Sequence, residues 1–169
     1  MKVAVIGGGL GGAAAALALH RRGVEVGLYE KAPELSEIGA GLNLSPNALK
    51  AFRYLGIERG AISTGFQAKE QVIRSFRSGR TIARPRRSGD IEEKYGATFL
   101  TMHRADLLRL LVQELPDRLV HLNTACIGAE NRDNVAVARF EDGAEIEADI
   151  VVGADGIHSA VRDLSLIHI

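Results

Sequence analysis

Apolar residues change their spacing twice within the first thirty positions of this chain. Val3-Ala4-Val5-Ile6 is an unbroken apolar run that predicts a buried strand, and a glycine segment follows it directly at residues 7–12. The Ala- and Leu-rich stretch 13–19 then predicts a helix that packs on this strand. A second strand pattern, Val24 to Tyr29, ends on Glu30. The predicted order is therefore strand, glycine turn, helix, strand and acid.

The pattern after this first unit is less regular. Residues 31–47 have the composition of a loop. Ser45-Pro46 fits a helix start, with Ser as the N-cap and Pro at the first helical position. This helix is expected to reach Gly56, and short strands are predicted within residues 66–84.

The second half of the chain is again a series of short elements. In chain order these are a strand over Tyr95–Met102, a helix from His103-Arg104 to Pro116, a strand over Leu119–Leu122, a hairpin of residues 135–140 and 144–148 joined by a D-G turn, and a final buried strand over Asp149–Val152. Strands of parallel type are thus expected at both ends of the chain, with a hairpin between them.

The glycine segment has the spacing G-x-G-x-x-G, formed by Gly7, Gly9 and Gly12, between a strand and a helix, and this context predicts a dinucleotide site. Gly9 lets the backbone approach a pyrophosphate, and Gly12 lets the helix pack closely on the sheet. Free N–H groups and the helix dipole at the helix start favour phosphate. Glu30 lies where a carboxylate accepts hydrogen bonds from a ribose diol, and its charge disfavours a 2′-phosphate. A glycine-rich turn without a ligand is the competing interpretation.

The inserted hairpin separates two classes of nucleotide-binding fold. A plain dehydrogenase alternates strands and helices throughout. An antiparallel hairpin within a Rossmann-like sheet is typical of the FAD-binding variant. The sequence therefore predicts an α/β fold, a Rossmann-like FAD-binding domain in three layers with a parallel sheet plus an antiparallel hairpin.

Composition and charge narrow the function classes. The 169 residues contain 21 Lys+Arg and 21 Asp+Glu, so nothing global points to nucleic acid or to an anionic membrane. The single cysteine, Cys126, excludes an internal disulfide and makes a reducing cytoplasm the expected compartment. The uncharged stretch from Val3 to Leu19 is too short and glycine-rich for a membrane span, and it lacks the basic start of a signal peptide. The five histidines show no metal-ligand spacing.

Basic charge is concentrated in one region. Its arginines are Arg74, Arg77, Arg80, Arg84, Arg86 and Arg87. One interpretation is a solvated face that the acidic residues at 90–93 offset. The other is a docking surface for a negatively charged co-substrate such as NAD(P)H.

Four motifs can now be taken together. They are Gly7-x-Gly9-x-x-Gly12 with Glu30, the segment 38–47 that contains Gly-Ala-Gly-Leu-Asn-Leu-Ser-Pro-Asn, His103-Arg104-Ala-Asp-Leu107, and Gly153-Ala-Asp-Gly-Ile-His-Ser-Ala-Val-Arg162. Their combination resembles the single-component aromatic-ring hydroxylases of the p-hydroxybenzoate hydroxylase superfamily, in particular the salicylate hydroxylase and 6-hydroxynicotinate 3-monooxygenase branch. The resemblance covers residues 1 to about 163.

The resemblance implies a set of cofactor-binding residues. They are Gly7, Gly9, Leu10, Gly11, Gly12, Glu30, Lys31, Arg104, Cys126 and Asp155. Within this set, residues 9–12 hold the pyrophosphate, Glu30 binds the adenosine ribose and Lys31 lies beside the adenosine. Arg104 contacts FAD, as suits a guanidinium facing phosphate or ribose oxygens.

Three further roles follow from the same resemblance. The backbone at Cys126 falls where the adenine lies, and Asp155 belongs to a D-G motif associated with both FAD and NAD(P)H. Asn43 falls where related enzymes place a residue, often a histidine, near the isoalloxazine and the substrate. Asparagine departs from that pattern and weakens any acid–base role, which leaves Asn43 as a candidate and no secure catalytic residue.

The implied function is that of the N-terminal FAD-binding part of a flavin-dependent monooxygenase. Such an enzyme uses FAD, NADH or NADPH, and O₂ to hydroxylate a small aromatic, usually phenolic, substrate. Another FAD-dependent oxidoreductase of the same fold, an NAD-dependent dehydrogenase and a non-catalytic nucleotide-binding module remain alternatives.

The resemblance also implies that a second half is missing. In that family a second Gly-Asp motif and a large substrate-binding sheet come downstream, and neither is present in this sequence. We expect residues 1–163 to be an FAD-binding domain, with 66–100 contributing to an otherwise missing substrate domain. Residues 164–169 resemble the translation of a transposase sequencing adapter and are expected to be a non-native tail. The fragment alone is expected to bind the ADP half of FAD weakly and to be inactive.

Overall fold

The computed structural model describes residues 1–36, 39–68, 70–85 and 89–162. The chain divides into two compact units. The terminal unit combines residues 1–37 with 108–169, and the middle unit is residues 38–107. Arg86, Arg87 and the expected tail at 164–169 lie outside the described residues, so the predictions that concern them stay predictions.

The helices and strands follow one another in this order: β1 (Lys2–Ile6), α1 (Leu10–Arg21), β2 (Glu25–Tyr29), β3 (Gly41–Leu44), α2 (Pro46–Tyr54), α3 (Glu58–Thr64), β4 (Ile73–Arg74), β5 (Thr81–Ala83), α4 (Gly89–Tyr95), β6 (Leu100–His103), α5 (Arg104–Gln113), β7 (Val120–His121), β8 (Cys126–Arg132), β9 (Val135–Phe140), β10 (Glu145–Ala148) and β11 (Ile150–Gly153).

A parallel sheet of order β11-β1-β2-β7 is the centre of the terminal unit. Strand β1 lies between two neighbours, and its residues Val3 to Ile6 are almost fully buried. This explains why the strand is an unbroken apolar run rather than an alternating one. Helix α1 packs against β1 and β2 through small side chains, among them the fully buried Ala13 and Ala16.

An antiparallel sheet of order β10-β9-β8 forms the second sheet of the terminal unit. Its buried face joins Ala4 and Ile6 of β1 in one apolar cluster, in which Phe140 is the largest fully buried side chain. Val3 and Val5 point to the opposite face of the parallel sheet, because side chains alternate along a strand. The predicted α/β fold with a parallel sheet and an antiparallel hairpin is confirmed.

Strand β8 was not expected from the sequence. It pairs with β9 and enlarges the predicted hairpin to three strands. Its sequence does not alternate clearly, because Gly128 and Ala129 are buried whereas Ile127 is 58% exposed. Pairing with β9, rather than an apolar pattern of its own, therefore defines this strand.

The middle unit contains two short antiparallel pairs and helices α2 to α4. Ser45 is the N-cap of α2 in extended conformation, as the sequence predicts. The β4–β5 hairpin turns at Gly79, which has φ +66°. Short strands within 66–84 are thereby confirmed.

Two expectations for the middle unit are wrong. Residues 41–44 are not loop, because β3 pairs in register with the distant β6, Gly41 opposite His103. The expected strand over Tyr95–Met102 begins only at Leu100, and Tyr95 ends helix α4. Acidic residues in the first turn of α4 and a lysine in its last turn stabilise that helix through its dipole.

No helix in the described part of the chain is long and apolar enough to span a bilayer. Over the same residues, no group of three His, Cys, Asp or Glu side chains could hold a metal ion.

Candidate functional site

The glycine turn connects β1 to α1 at residues 7–9, at the carboxyl end of the central strand. Gly7 has φ +102°, and a Cβ placed on it would collide with the backbone of Ala154 and Asp155. Its N–H donates to the carbonyl of Tyr29 at 2.8 Å. Only glycine meets both the positive φ and the close approach, so Gly7 makes the tight turn out of β1.

The start of α1 is open toward the turn. A Cβ on Gly12 would overlap the carbonyl oxygen of Gly7, whereas one on Gly11 would meet nothing within 4 Å. The first intrahelical bond runs from the Ala13 N–H to the Gly9 carbonyl at 2.9 Å. The N–H groups of residues 10–12 therefore precede the helical ladder and point out of the helix start. Because the first turn of α1 contains no acidic residue, this end suits an anion.

Glu30 follows β2 and is half-buried beside the glycine turn. Its carboxylate accepts the Gly8 N–H at 2.5 Å on Oε2 and the Ala32 N–H at 2.9 Å on Oε1. An ionised carboxylate has about four acceptor positions, so each oxygen keeps a lone pair for a further donor such as a hydroxyl. Glu30 thus both fixes the turn and remains an acceptor. The neighbouring Lys31 is exposed.

Cys126 is the first residue of β8 and packs against the apolar cluster of the terminal unit. Its thiol donates to the Gly128 carbonyl at 3.3 Å. Burial raises the pKa of the Cys126 thiol, which therefore stays protonated. The side chain behaves as a small apolar group, in keeping with the expectation that any role at this position belongs to the backbone.

Asp155 comes two residues after β11, next to the glycine turn. Its carboxylate accepts the Ser159 hydroxyl at 2.6 Å and the Ala160 N–H at 2.7 Å. Burial by itself would raise the pKa of Asp155, but the hydrogen bonds from Ser159 and from the backbone hold the pKa below its usual value. A recess of about 360 Å³ adjoins Asp155 and Gly156. Ser159 was missed from the sequence, where only its spacing four residues after Asp155 could have indicated the pair.

The remaining candidates lie in the middle unit. Asn43 is an exposed residue of β3, and its Oδ1 accepts the hydroxyl of Thr101, its cross-strand partner, at 3.1 Å. With the amide oxygen engaged, the Nδ2 group is the part of Asn43 that can donate to a ligand. Arg104 is the first residue of α5, and its backbone N–H donates to the Ala40 carbonyl at 3.3 Å.

The terminal unit brings three of the predicted groups into contact. Gly8 bonds to Glu30, and Gly7 packs on the backbone that leads into Asp155. The arrangement combines an anion-accepting helix start with a carboxylate at the end of the adjacent strand. Those are the features needed for the pyrophosphate and the ribose of a dinucleotide, so the residues present fit such a group.

Comparisons with known proteins agree with this geometry. A family model described as an FAD binding domain matches residues 1–167. The 3-amino-4-hydroxybenzoate 2-monooxygenase of Streptomyces cremeus is 41% identical over 162 residues, which are 96% of this chain and 41% of that protein. The 6-hydroxynicotinate 3-monooxygenase of Pseudomonas fluorescens is 40% identical over 96% of this chain and 42% of its own length.

Solved structures of FAD-containing proteins also match this chain, at lower sequence identity. Klebsiella pneumoniae HpxO complexed with FAD and uric acid superposes with a TM-score of 0.85 at 29% identity, over 96% of this chain and 41% of that one. The chain thus spans about two fifths of the length of the relatives it matches.

Proposed function

Since the chain belongs to the FAD binding domain family, we propose that it is the N-terminal part of a flavin-dependent monooxygenase that hydroxylates a small aromatic substrate with NADH or NADPH and O₂. The observation that supports this most directly is the glycine turn with Glu30 hydrogen-bonded to it. When bound, the flavin supplies the redox and oxygen chemistry, and the protein supplies binding and orientation.

The residues of the terminal unit would hold the adenosine end of FAD. The N–H groups of Leu10, Gly11 and Gly12 would donate to the pyrophosphate, after Gly7 and Gly9 have brought the backbone close. The lone pairs of Glu30 that Gly8 and Ala32 leave free would accept the hydroxyls of the adenosine ribose. Because two N–H groups already orient this carboxylate, the ribose would meet a preorganised acceptor.

Four other residues would complete the contacts. We propose that Lys31 lies beside the adenosine and that the backbone at Cys126 meets the adenine. Arg104 would contact FAD with its guanidinium. Asn43 would donate from Nδ2 near the isoalloxazine or the substrate, and an amide there cannot exchange a proton as an acid or base would.

The substrate class is inferred from the relatives. Their names contain hydroxybenzoate or hydroxynicotinate, which are rings with a hydroxyl and a carboxylate. We propose a substrate of that class for the whole protein.

The domain organisation is part of this proposal. Residues 1–163 would form the FAD-binding domain, and residues 66–100 would contribute to a substrate domain completed by further chain. Exposed apolar side chains within 66–100 support this, since Phe66 is 70% exposed, Phe76 93% and Ile82 68%.

Nucleotide binding to the 169-residue chain tests the proposal. Isothermal titration should show that FAD and ADP bind competitively and that NAD binds more weakly. Glu30→Ala should weaken both FAD and ADP about tenfold, the cost of losing charge-assisted hydrogen bonds. Glu25→Ala, at the exposed opposite end of β2, is the matched control and should bind normally. Tighter binding of NAD than of FAD would instead favour a dehydrogenase.

A further inference from the structure

The backbone that follows β11 lies directly against the glycine turn. The Ala154 N–H donates to the Ile6 carbonyl at 2.7 Å, which continues the β1–β11 pairing one residue past the end of β11. The first atoms that a Cβ on Gly7 would strike are the carbonyl oxygen and carbon of Ala154. No methyl group fits between the two segments, so the Ala154–Asp155 peptide cannot shift toward the turn without moving Gly7.

The carboxylate of Asp155 is engaged within its own turn. Oδ1 accepts the Ser159 hydroxyl, and Oδ2 accepts the N–H groups of Ala160 at 2.7 Å and Val161 at 3.3 Å. Ser159 is 8% exposed, and its oxygen in turn accepts the Arg162 N–H at 2.9 Å. Asp155 and Ser159 thus close residues 155–162 into one hydrogen-bonded turn.

The far end of this turn is anchored in the core. Val161 belongs to the apolar cluster that contains Ala4 and Ile6 of β1. Gly153 makes room for it, because a Cβ there would lie 2.9 Å from the Cβ of Val161. The turn therefore joins the buried cluster to the peptide that backs Gly7, and its shape depends on the Asp155–Ser159 pair.

We infer that Asp155 and Ser159 are positioning residues that hold the Ala154–Asp155 peptide against Gly7 and thereby align the pyrophosphate-binding N–H groups of the glycine turn. The inference rests on the proposed function of that turn. It gives the Asp155 carboxylate an internal role in place of direct contact with the cofactor. The physical reason is preorganisation, because donors displaced by even 1 Å bind a pyrophosphate much less well.

The lowered pKa of Asp155 agrees with this role. Donors that face the carboxylate favour its ionised form, so the turn is held by charge-assisted hydrogen bonds at neutral pH.

Three variants of the 169-residue chain test the inference. Asp155→Ala removes the acceptor, Ser159→Ala removes one donor and the bond to Arg162, and Asp155→Asn keeps an oxygen that can still accept backbone N–H groups. The matched control is Asp142→Ala in the other D-G turn of the terminal unit, where Oδ1 accepts the Ala144 N–H at 2.9 Å.

The first measurement is hydrogen exchange by NMR in the ligand-free chain. The reporters are the N–H groups of Gly7, Gly8 and Ala13, which donate to Tyr29, Glu30 and Gly9. Exchange at these amides should rise about tenfold in Asp155→Ala, less in Ser159→Ala, and not at all in Asp142→Ala. Unchanged exchange in both Asp155→Ala and Ser159→Ala would overturn the inference.

The second measurement is the affinity for FAD and ADP. Asp155→Ala should weaken both about tenfold, and Asp155→Asn should stay within about threefold of wild type because its oxygen still closes the turn. Suppose that Asp155→Asn and Asp155→Ala weaken FAD binding equally while amide exchange is unchanged. The charge of Asp155 then contacts the ligand itself, and the positioning role is wrong. A wild-type chain that binds neither FAD nor ADP would defeat the proposed function, while the exchange experiment would still decide the inference. Should Asp155→Ala fail to fold, Ser159→Ala and Asp155→Asn carry both measurements.

Discussion

Two Asp-Gly pairs in the terminal unit share nearly the same glycine φ and have different surroundings. Gly143 has φ +85° and Gly156 has φ +86°. Asp142 is exposed and accepts one N–H, that of Ala144, within the β9–β10 hairpin. Asp155 is half-buried, accepts a hydroxyl and two N–H groups, and follows the peptide that packs on Gly7.

The difference shows what a dipeptide can and cannot indicate. Both pairs predict a turn, since Asp accepts nearby N–H groups and Gly supplies the positive φ. Only the second pair touches the glycine turn, and that contact joins residues more than 140 positions apart in the sequence. The turn itself is formed by neighbouring residues. The contact of the second pair with the glycine turn instead results from the β1–β11 pairing, which brings the two segments together.

Gly7→Ala, on the segment that the second Asp-Gly pair contacts, should lower the unfolding free energy more than any other substitution considered. The new Cβ would collide with the backbone of Ala154. The alanine would also have to adopt the φ of +102° that Gly7 has. Together these cost about 3 kcal/mol or more. Chemical denaturation should show this loss of unfolding free energy. Gly156→Ala is the control, because it has a similar φ but no atom near its Cβ. Equal losses in the two variants would mean that the contact with Ala154 is not tight.

The parts of the fold that could be predicted are those with a local cause. The run of β1, the N-cap of α2 at Ser45 and the hairpin glycine at Gly143 each have their reason within a few residues. Strands β3 and β8 could not be predicted, since each is defined by a partner strand rather than by its own pattern. The partner of β3 is distant in the sequence, since Asn43 and Thr101 are 58 positions apart, and such pairing leaves little trace in a short strand. Strand β8 pairs with the adjacent β9 and was missed because its own residues do not alternate between buried and exposed.

The candidate site divides in the same way. The spacing of Gly7, Gly9 and Gly12 with Glu30 predicts a nucleotide site because each position has a separate physical reason. The bond from Gly8 to Glu30 and the inward-facing carboxylate of Asp155 could not be predicted, because both depend on tertiary placement. Sequence reasoning accordingly found Asp155 but missed its partner Ser159.

The pH dependence of stability should separate the two turns further. The pKa of Asp155 is lowered in the folded chain, so its ionised carboxylate stabilises the fold fully above the ordinary Asp pKa of about 4. That contribution is lost as the pH falls through the lowered pKa. The unfolding free energy of wild type minus that of Asp155→Asn should therefore be constant near neutral pH and shrink only in acid. A difference that grows as the pH falls would contradict the lowered pKa.

The smallest expected effects come from the two glycines of the pairs themselves. A Cβ on either Gly143 or Gly156 would meet no atom within 4 Å, so alanine meets only the strain of a positive φ, about 1 kcal/mol at each site. The unfolding free energy of each alanine variant should therefore lie about 1 kcal/mol below that of wild type. FAD affinity should change in neither, because both keep the aspartate side chain. If Gly156→Ala weakens FAD as strongly as Asp155→Ala, the function of the second turn lies in the backbone at residue 156 and not in the carboxylate before it.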